Sequence, residues 1–240
     1  VICSVSGTVK AVEPRRVANG AMVNSIVVEN DGEYTAVEGL GADRDPAKLS
    51  KQEIRDIVKE AGIVGLGGAG FPTHVKLAPK DESKIEYILV NGAECEPYLT
   101  SDYRLMMEEP EKLVGGLKVI LQLFDNAKGL IGIENNKPEA IKKLIEMVKD
   151  EPRIEVCPLL TKYPQGGERT LIYAVTKREI NSSMLPADAG CVVDNIDTVV
   201  SIYNAVCEST PLIRKIITVT GDAVANPQNL SLIHISEPTR

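Results

Sequence analysis

G-I-V-G-L-G-G-A-G-F-P-T-H-V-K, residues Gly62–Lys76, decides how this chain is read. Five of its fifteen residues are glycine: Gly62, Gly65, Gly67, Gly68 and Gly70. Glycine accepts φ > 0 and lets a ligand approach the main chain without meeting a Cβ. Successive free N–H groups can then line an anion-binding concavity. Ahead of the loop, Lys51–Ala61 places Ile54, Ile57, Val58 and Ala61 at helical spacing with charges between them. Ser50 stands as the N-cap and Glu53 at the capping-box position. A helix therefore runs into a glycine loop that closes on Phe71, Pro72, Thr73 and Lys76. A flexible tether would show the same glycine content, but an aromatic, a proline and a lysine following at once favour a shaped pocket. The loop is not a Walker A motif, because no Gly-Lys-Ser/Thr follows. Gly65, Gly67 and Gly70 fit G-x-G-x-x-G, yet a helix precedes them where the dinucleotide fingerprint needs a strand.

Outward from the loop, strands and helices alternate from residue 51 onward, the pattern of an α/β domain with a parallel sheet. Strands are expected at Lys84–Val90, Lys128–Glu134, Arg153–Leu159 and Ile213–Gly221. Helices are expected at Glu111–Phe124, Pro138–Lys149 and Asn195–Cys207, the last capped by Asp194 or Asn195. Ala140, Ile141, Leu144, Ile145 and Val148 form the apolar face of the second helix. Asn91 ends the first of these strands, where open α/β sheets place ligands; an Asn-Gly turn is the bland alternative. Tyr163, Gly166, Gly167 and Glu168 make a second glycine turn. Before the domain, Val5–Val12, Ala21–Glu29 and Glu33–Val37 read as short strands, with a turn at Asn30-Asp31-Gly32. Gly41–Ser50 is polar and reads as a linker.

The chain has 240 residues, 43% of them hydrophobic and 25% charged, enough for one large or two smaller globular domains. Its net charge is −7 and no Lys/Arg tract stands out, which excludes nucleic acid as the main partner. No apolar run approaches the ~20 residues that span a bilayer. The five cysteines include no C-x-x-C pair, so neither a zinc knuckle nor a local cluster motif is present. Their odd number and wide spacing fit a reduced compartment. Cys95 lies between Glu94 and Glu96, where a thiolate is disfavoured. His74 has no ligand-type neighbours in sequence and reads as a packing or capping residue. Phe71, one of two phenylalanines, is a candidate to face a ligand.

Three motifs carry a resemblance to a known family: the glycine loop, Val90–Arg104 (V-N-G-A-E-C-E-P-Y-L-T-S-D-Y-R) and Tyr163–Leu171 (Y-P-Q-G-G-E-R-T-L). The glycine loop resembles the flavin loop of the FMN- and NADH-binding subunit of respiratory complex I. All three look still more like RnfC, the peripheral subunit of the Rnf ion-pumping ferredoxin:NAD oxidoreductase. The likeness runs over roughly residues 1 to 230. It implies an α/β, Rossmann-like FMN/NADH-binding domain over 51–230, with the start of a following module near 212–230. It also implies a small barrel-sandwich, lipoyl-like module over 1–40, joined by the linker 41–50. Lys10 lies within a strand pattern, so that module reads as a packing unit rather than a lipoyl carrier.

By the same resemblance, Gly65, Gly67, Gly68, Gly70 and Lys76 are expected to meet the FMN phosphate and ribityl chain. Phe71 is expected to stack on nicotinamide or adenine. Asn91 would meet the flavin edge, and Glu94, Glu96 and Glu168, with Gly167, the flavin or NADH. Asn195 and Thr198 lie in the segment that closes over the flavin and would donate to its ring or phosphate; capping the helix is their bland role. Arg104 is expected to pair with Asp102 or a later carboxylate. No catalytic side chain or metal site is expected, since hydride transfer needs no protein acid or base. Expected partners are the other Rnf subunits, NADH and, indirectly, ferredoxin, with peripheral attachment to the cytoplasmic side of the membrane through those subunits. The family's two 4Fe–4S clusters would lie in a C-terminal domain that does not follow here; residues 231–240 read as a non-native tail, and the chain as a fragment lacking both ends. Leu66 and Ala93 stand where complex I has an arginine and an aspartate. They motivate one alternative, a flavin-free docking scaffold. The other is a soluble reductase of the cobalamin reductase type.

Overall fold

The chain begins with an antiparallel hairpin, β1 (Gly7–Arg16) and β2 (Met22–Asn30), in a computed structural model that describes residues 2–3, 5–17 and 19–231. The third strand expected at Glu33–Val37 is absent. The turn at Asn30-Asp31-Gly32 does form, but side chains take over from the ladder after it. Asp31 accepts from Ser6 Oγ at 2.6 Å and from Glu33 N–H at 2.9 Å, while Thr35 N–H donates to Ser6 Oγ at 2.9 Å. Of the expected non-native tail, only Ser231 lies within the described residues.

From residue 51 the α/β alternation holds. Helix α1 (Lys51–Glu60) carries the expected capping box between Ser50 and Glu53. It leads through the glycine loop into the single turn α2 (Thr73–Lys76), and then come β3 (Tyr87–Gly92), α3 (Ser101–Glu108), α4 (Pro110–Leu123) and β4 (Lys128–Glu134). These are followed by α5 (Pro138–Val148), β5 (Ile154–Leu159), α6 (Glu168–Thr176), β6 (Cys191–Asn195) and α7 (Ile196–Cys207). A last hairpin, β7 (Ile216–Val219) and β8 (Gln228–Ser231), closes the described chain.

The parallel sheet has the strand order β5-β4-β3-β6. Alternation along the strands sends side chains to two helical layers. Ile88, Val90, Ile131, Ile133 and Val192 join α1, α4, α5 and α7 in the larger core. Leu89, Leu130, Cys191 and Val193 face α6 through Leu171 and Ile172. With both faces covered, the strands are near-continuous apolar runs. Ile145, expected on the apolar face of α5, stands 48% exposed at the margin of that face.

β3 runs to β4 and β5 on one side, whereas β6 returns to its other side. The direction of winding reverses between β3 and β6, and such a reversal opens a crevice beyond the carboxyl ends of the two strands. Asn91-Gly92 and Asn195 are those ends.

Helices α4 and α7 pack so closely that a Cβ on Gly116 would lie 2.2 Å from Val199 O. A helix interior usually disfavours glycine by about 1 kcal/mol against alanine; here backbone contact outweighs that preference. Gly116→Ala is expected to destabilise the fold by about 1–3 kcal/mol, the scale of core overpacking. Urea melts check this, and an unchanged midpoint and slope would show that the two helices do not meet as described.

Candidate functional site

The glycine loop has a narrow neck and an open tip. At the neck, Gly65 N–H donates to Phe71 O at 2.8 Å and Thr73 N–H to Ile63 O at 3.1 Å. At the tip, residues 67–72 are exposed, and Phe71 presents 47% of its surface. Gly68 and Gly70 take φ of +133° and +63°, where a side chain would be strained. Among the described residues, no protein acceptor meets the amides of Gly67, Gly68, Ala69 and Gly70.

The first turn of α7 lies directly against this loop. Leu66 N–H donates to Thr198 Oγ1 at 2.9 Å. A Cβ on Gly67 would stand 3.3 Å from Asn195 Cβ, so only glycine fits there without displacing Asn195. Asn195 caps α7 by accepting from Asp197 N–H at 3.0 Å, and its Nδ2 donates to Asp102 Oδ2 at 2.7 Å. Thr198 and Asn195 thus fill the structural roles of brace and cap. Lys76 Nζ donates to Val193 O at 2.8 Å and to Asp194 Oδ1 at 3.3 Å. It also lies 3.8 Å from where a Cβ on Gly65 would be. The remaining oxygen of the fully buried Asp194 has no partner. Burial pushes the Asp194 carboxyl up to about 6, with Lys76 opposing the rise and the Glu168 charge adding to it.

A second set of contacts gathers at the end of β3. Asn91 Nδ2 donates to Gly166 O at 2.8 Å, and Gly166 N–H donates to Cys95 Sγ at 3.2 Å. The second glycine turn is therefore the entry to a helix: Gly167 is the N-cap of α6 and Glu168 begins its first turn. Gln165 is buried and its Oε1 is unpartnered. Glu96 is exposed, and its charge is the main influence raising the Tyr163 pKa. Glu94 sits between the two sets at φ 48°. Its carboxylate accepts from Asp102 N–H at 2.8 Å and Tyr103 N–H at 3.2 Å, capping α3, and burial raises its pKa.

Gly65, Gly67, Gly68, Gly70, Phe71, Lys76, Asn195 and Thr198 thus share one neighbourhood. Asn91 and Gly167 share a second, with Glu94 bridging through Asp102 to Asn195. Arg104 pairs with Glu108, a later carboxylate, while Asp102 is taken by Asn195. Helix α3 is missing from the expected elements, although Thr100-Ser101-Asp102 ahead of Leu105 and Met106 is a helix-start signal. Asp197 and Lys215 join the site unannounced, and Asp102 and Asp194, expected as a partner of Arg104 and a helix cap, take Asn195 and Lys76 instead, because these partners come from distant segments. Among the described residues, no cluster of three or more His, Cys, Asp or Glu is arranged to hold a metal. All five cysteines are free, and burial holds the thiols of Cys157, Cys191 and Cys207 up at about 11.

Burial pushes the Asp102 carboxyl from 3.8 up to about 7, helped by the Glu94 charge and opposed by the Asn195 bond. The folded state therefore keeps this proton over a range where the unfolded chain releases it. Asp102 lowers stability progressively as pH rises from about 4 to about 7, and the loss then stays constant. Asp102→Asn retains an acceptor for Asn195. It is expected to be more stable than the wild type at about pH 8, with the gain shrinking towards about pH 4. Urea melts across that range check the sign; a gain that grows on acidification would contradict it.

Comparison with known proteins adds independent information. A family model described as the Nuo51 FMN-binding domain matches residues 58–204. The C subunit of the Na+-translocating ferredoxin:NAD+ oxidoreductase complex of Acetobacterium woodii is 46% identical over 232 residues, 97% of this chain and 52% of that protein. Its counterpart in the proton-translocating complex of Clostridium ljungdahlii is 47% identical over 209 residues, 86% of this chain and 45% of that protein. The C subunit of an ion-translocating oxidoreductase complex of Vibrio cholerae is 38% identical over 228 residues, 94% of this chain and 29% of that protein. The resemblance to RnfC holds, and the chain spans about half the length of the first two relatives. Among solved structures, an NAD+-reducing NiFe-hydrogenase in the air-oxidised state matches with a TM-score of 0.67 at 23% identity. That match covers 82% of this chain and 39% of the hydrogenase chain, and it is a likeness of fold.

Proposed function

The chain belongs to the Nuo51 FMN-binding domain family, and we propose that it binds FMN on the glycine loop as part of an electron-transfer subunit of RnfC type. The observation that carries this reading is the set of exposed, unpartnered amides from Gly67 to Gly70, braced on the first turn of α7. They fit a phosphate and a polyol chain: directional donors at a glycine tip, with lysines at the neck. The chemistry such a flavin would supply when bound is two-electron exchange with a nicotinamide and one-electron exchange with clusters.

The residues of this chain hold and orient. Gly67, Gly68 and Gly70 take the phosphate end, while Lys76 lies beneath the neck as the counter-charge of Asp194. Asn91, Glu94 and the Gly166-Gly167 turn border the crevice beyond β3, where a flavin edge and NADH would meet. Glu94, Glu96 and Glu168 would repel an extra phosphate on the adenosine, which favours NADH over NADPH. Phe71 offers an exposed ring for stacking. Residues 51–230 form the nucleotide-binding domain, 41–50 the linker and 1–40 a β module.

In this reading electrons pass between NAD(H) and iron–sulfur clusters outside the chain, within a membrane-associated ion-translocating complex. Other subunits of that complex are the partners, with ferredoxin served indirectly. No helix among the described residues is long and apolar enough to cross a membrane; peripheral attachment through those subunits, on the cytoplasmic side, is part of the proposal. The relatives' names support this role over a cobalamin reductase or a flavin-free scaffold.

The test is a flavin spectrum after FMN has been added and the excess removed. The wild type is expected to stay yellow and to bleach with NADH under anaerobic conditions. Gly67→Val presses on Asn195, and should weaken retention about tenfold or more at a stability cost of about 1–3 kcal/mol. A colourless wild type at micromolar concentration overturns the reading.

A further inference from the structure

The peptide that joins Leu66 to Gly67 is gripped from two sides. Leu66 N–H is held by Thr198 Oγ1 at 2.9 Å. The carbonyl of Leu66 accepts from Lys215 Nζ at 2.7 Å. Lys215 is in turn braced by Asp197 Oδ2 at 3.2 Å, and its side chain is only 34% exposed. A trans peptide is planar, with its C=O and the following N–H on opposite sides. Fixing Leu66 O therefore fixes the direction of Gly67 N–H, the first of the unpartnered amides. An ammonium on the carbonyl also polarises the peptide and strengthens that N–H as a donor.

We propose that Lys215 is a positioning residue of the binding loop, setting the Leu66–Gly67 peptide so that Gly67 N–H faces the phosphate of the bound flavin. The proposal rests on the FMN reading above and extends the site beyond residues 58–204, into the segment that leads to β7. That segment is fastened to the same corner of the fold. Arg214 Nη2 bridges both oxygens of Glu109 at 2.9 Å. Thr100 N–H donates to Thr218 Oγ1 at 3.3 Å, and Asn229 Nδ2 donates to Thr100 Oγ1 at 2.9 Å. Thr100 immediately precedes α3, whose Asp102 holds Asn195. Loop, α3, α7 and the last hairpin thus converge where Lys215 lies.

Lys76 has a different task. Its Nζ is turned to Val193 O and Asp194, and it does not touch the loop carbonyls. Removing Lys76 would strip a buried carboxylate of its counter-charge, whereas removing Lys215 alters the orientation of one peptide.

The experiment compares Lys215→Met, Lys215→Arg and Lys112→Met by titration with FMN and with riboflavin, which lacks the phosphate, followed by flavin fluorescence. Lys112 pairs with Glu208 at the far end of α7 and serves as the control. Lys215→Met is expected to weaken FMN about tenfold, the scale of one charge-assisted hydrogen bond, and riboflavin by less than about threefold. Lys215→Arg, which keeps charge and donor, should restore FMN to within about threefold of the wild type. Lys112→Met should change neither. A Met variant that binds FMN like the wild type overturns the proposal. Equal losses for both flavins, or an Arg variant as weak as Met, overturn it too, since a general loosening of the fold would do the same. A wild type that binds neither flavin instead removes the FMN reading itself, which the wild-type titration reports before any variant is compared.

Discussion

The hydrogen bond from Leu66 N–H to Thr198 Oγ1 joins two parts of the chain that sequence keeps far apart. One is a glycine loop with little side chain of its own to hold it in shape. The other is the first turn of a helix whose body is almost wholly buried. The turn supplies every fixed point the loop has on that side: Asn195 against Gly67, Thr198 on Leu66 N–H, and Asp197 behind Lys215. Asp194, one residue before the turn, holds Lys76. Because Thr198 is buried, an unmet hydroxyl there would cost about 1–3 kcal/mol. The loop amide satisfies the hydroxyl, and the hydroxyl fixes the loop.

The electrostatics of this corner are those of a crowded acidic site in an acidic protein. Glu94, Asp102, Asp194 and Asp197 all have raised pKa values, and burial is the largest cause for each. Buried charge is tolerated when paired or hydrogen-bonded. Glu94 is satisfied by the first amides of α3, Asp194 and Asp197 by lysines, and Asp102 by the carboxamide of Asn195. Lys76 is thereby committed to Asp194 and Val193 O, and Lys215 to Asp197 and the loop. What the tip offers an anion is therefore chiefly the directional N–H groups of its backbone.

Much of this was legible from residue order alone. Periodicity finds α1, α4, α5 and α7 and the strands β4 and β5, because each is long or strongly patterned. The capping box at Ser50 is written in two residues three apart. The glycine spacing marks the loop, and the Asn-Gly after a buried strand marks the crevice. Short elements are harder to see. β6 is five residues long and merges with the helix cap that follows it. α6 hides behind Gly166-Gly167, which reads equally well as a turn. Side-chain roles were the least legible. Asp102 reaches Asn195 across 93 positions and Lys215 reaches Leu66 across 149. No local pattern records such pairings, so an aspartate that is half-buried against another segment looks like a helix-surface charge.

The close approach of α4 and α7 at Gly116 has a mechanical consequence. With Val199 O only 2.2 Å from where a Cβ on Gly116 would be, α4 and α7 meet backbone to backbone one residue beyond the turn that grips the loop. The grip is anchored to the sheet and to a neighbouring helix at once. The tip, Gly67 to Gly70, is exposed, while the helix beneath it is buried against the sheet and a neighbouring helix. A guest that arrives at this corner meets the tip first. Its size and outline are met by a rim set on a packed base, and a substitution at the remote α4–α7 crossing would be felt at the rim as a change in the base itself.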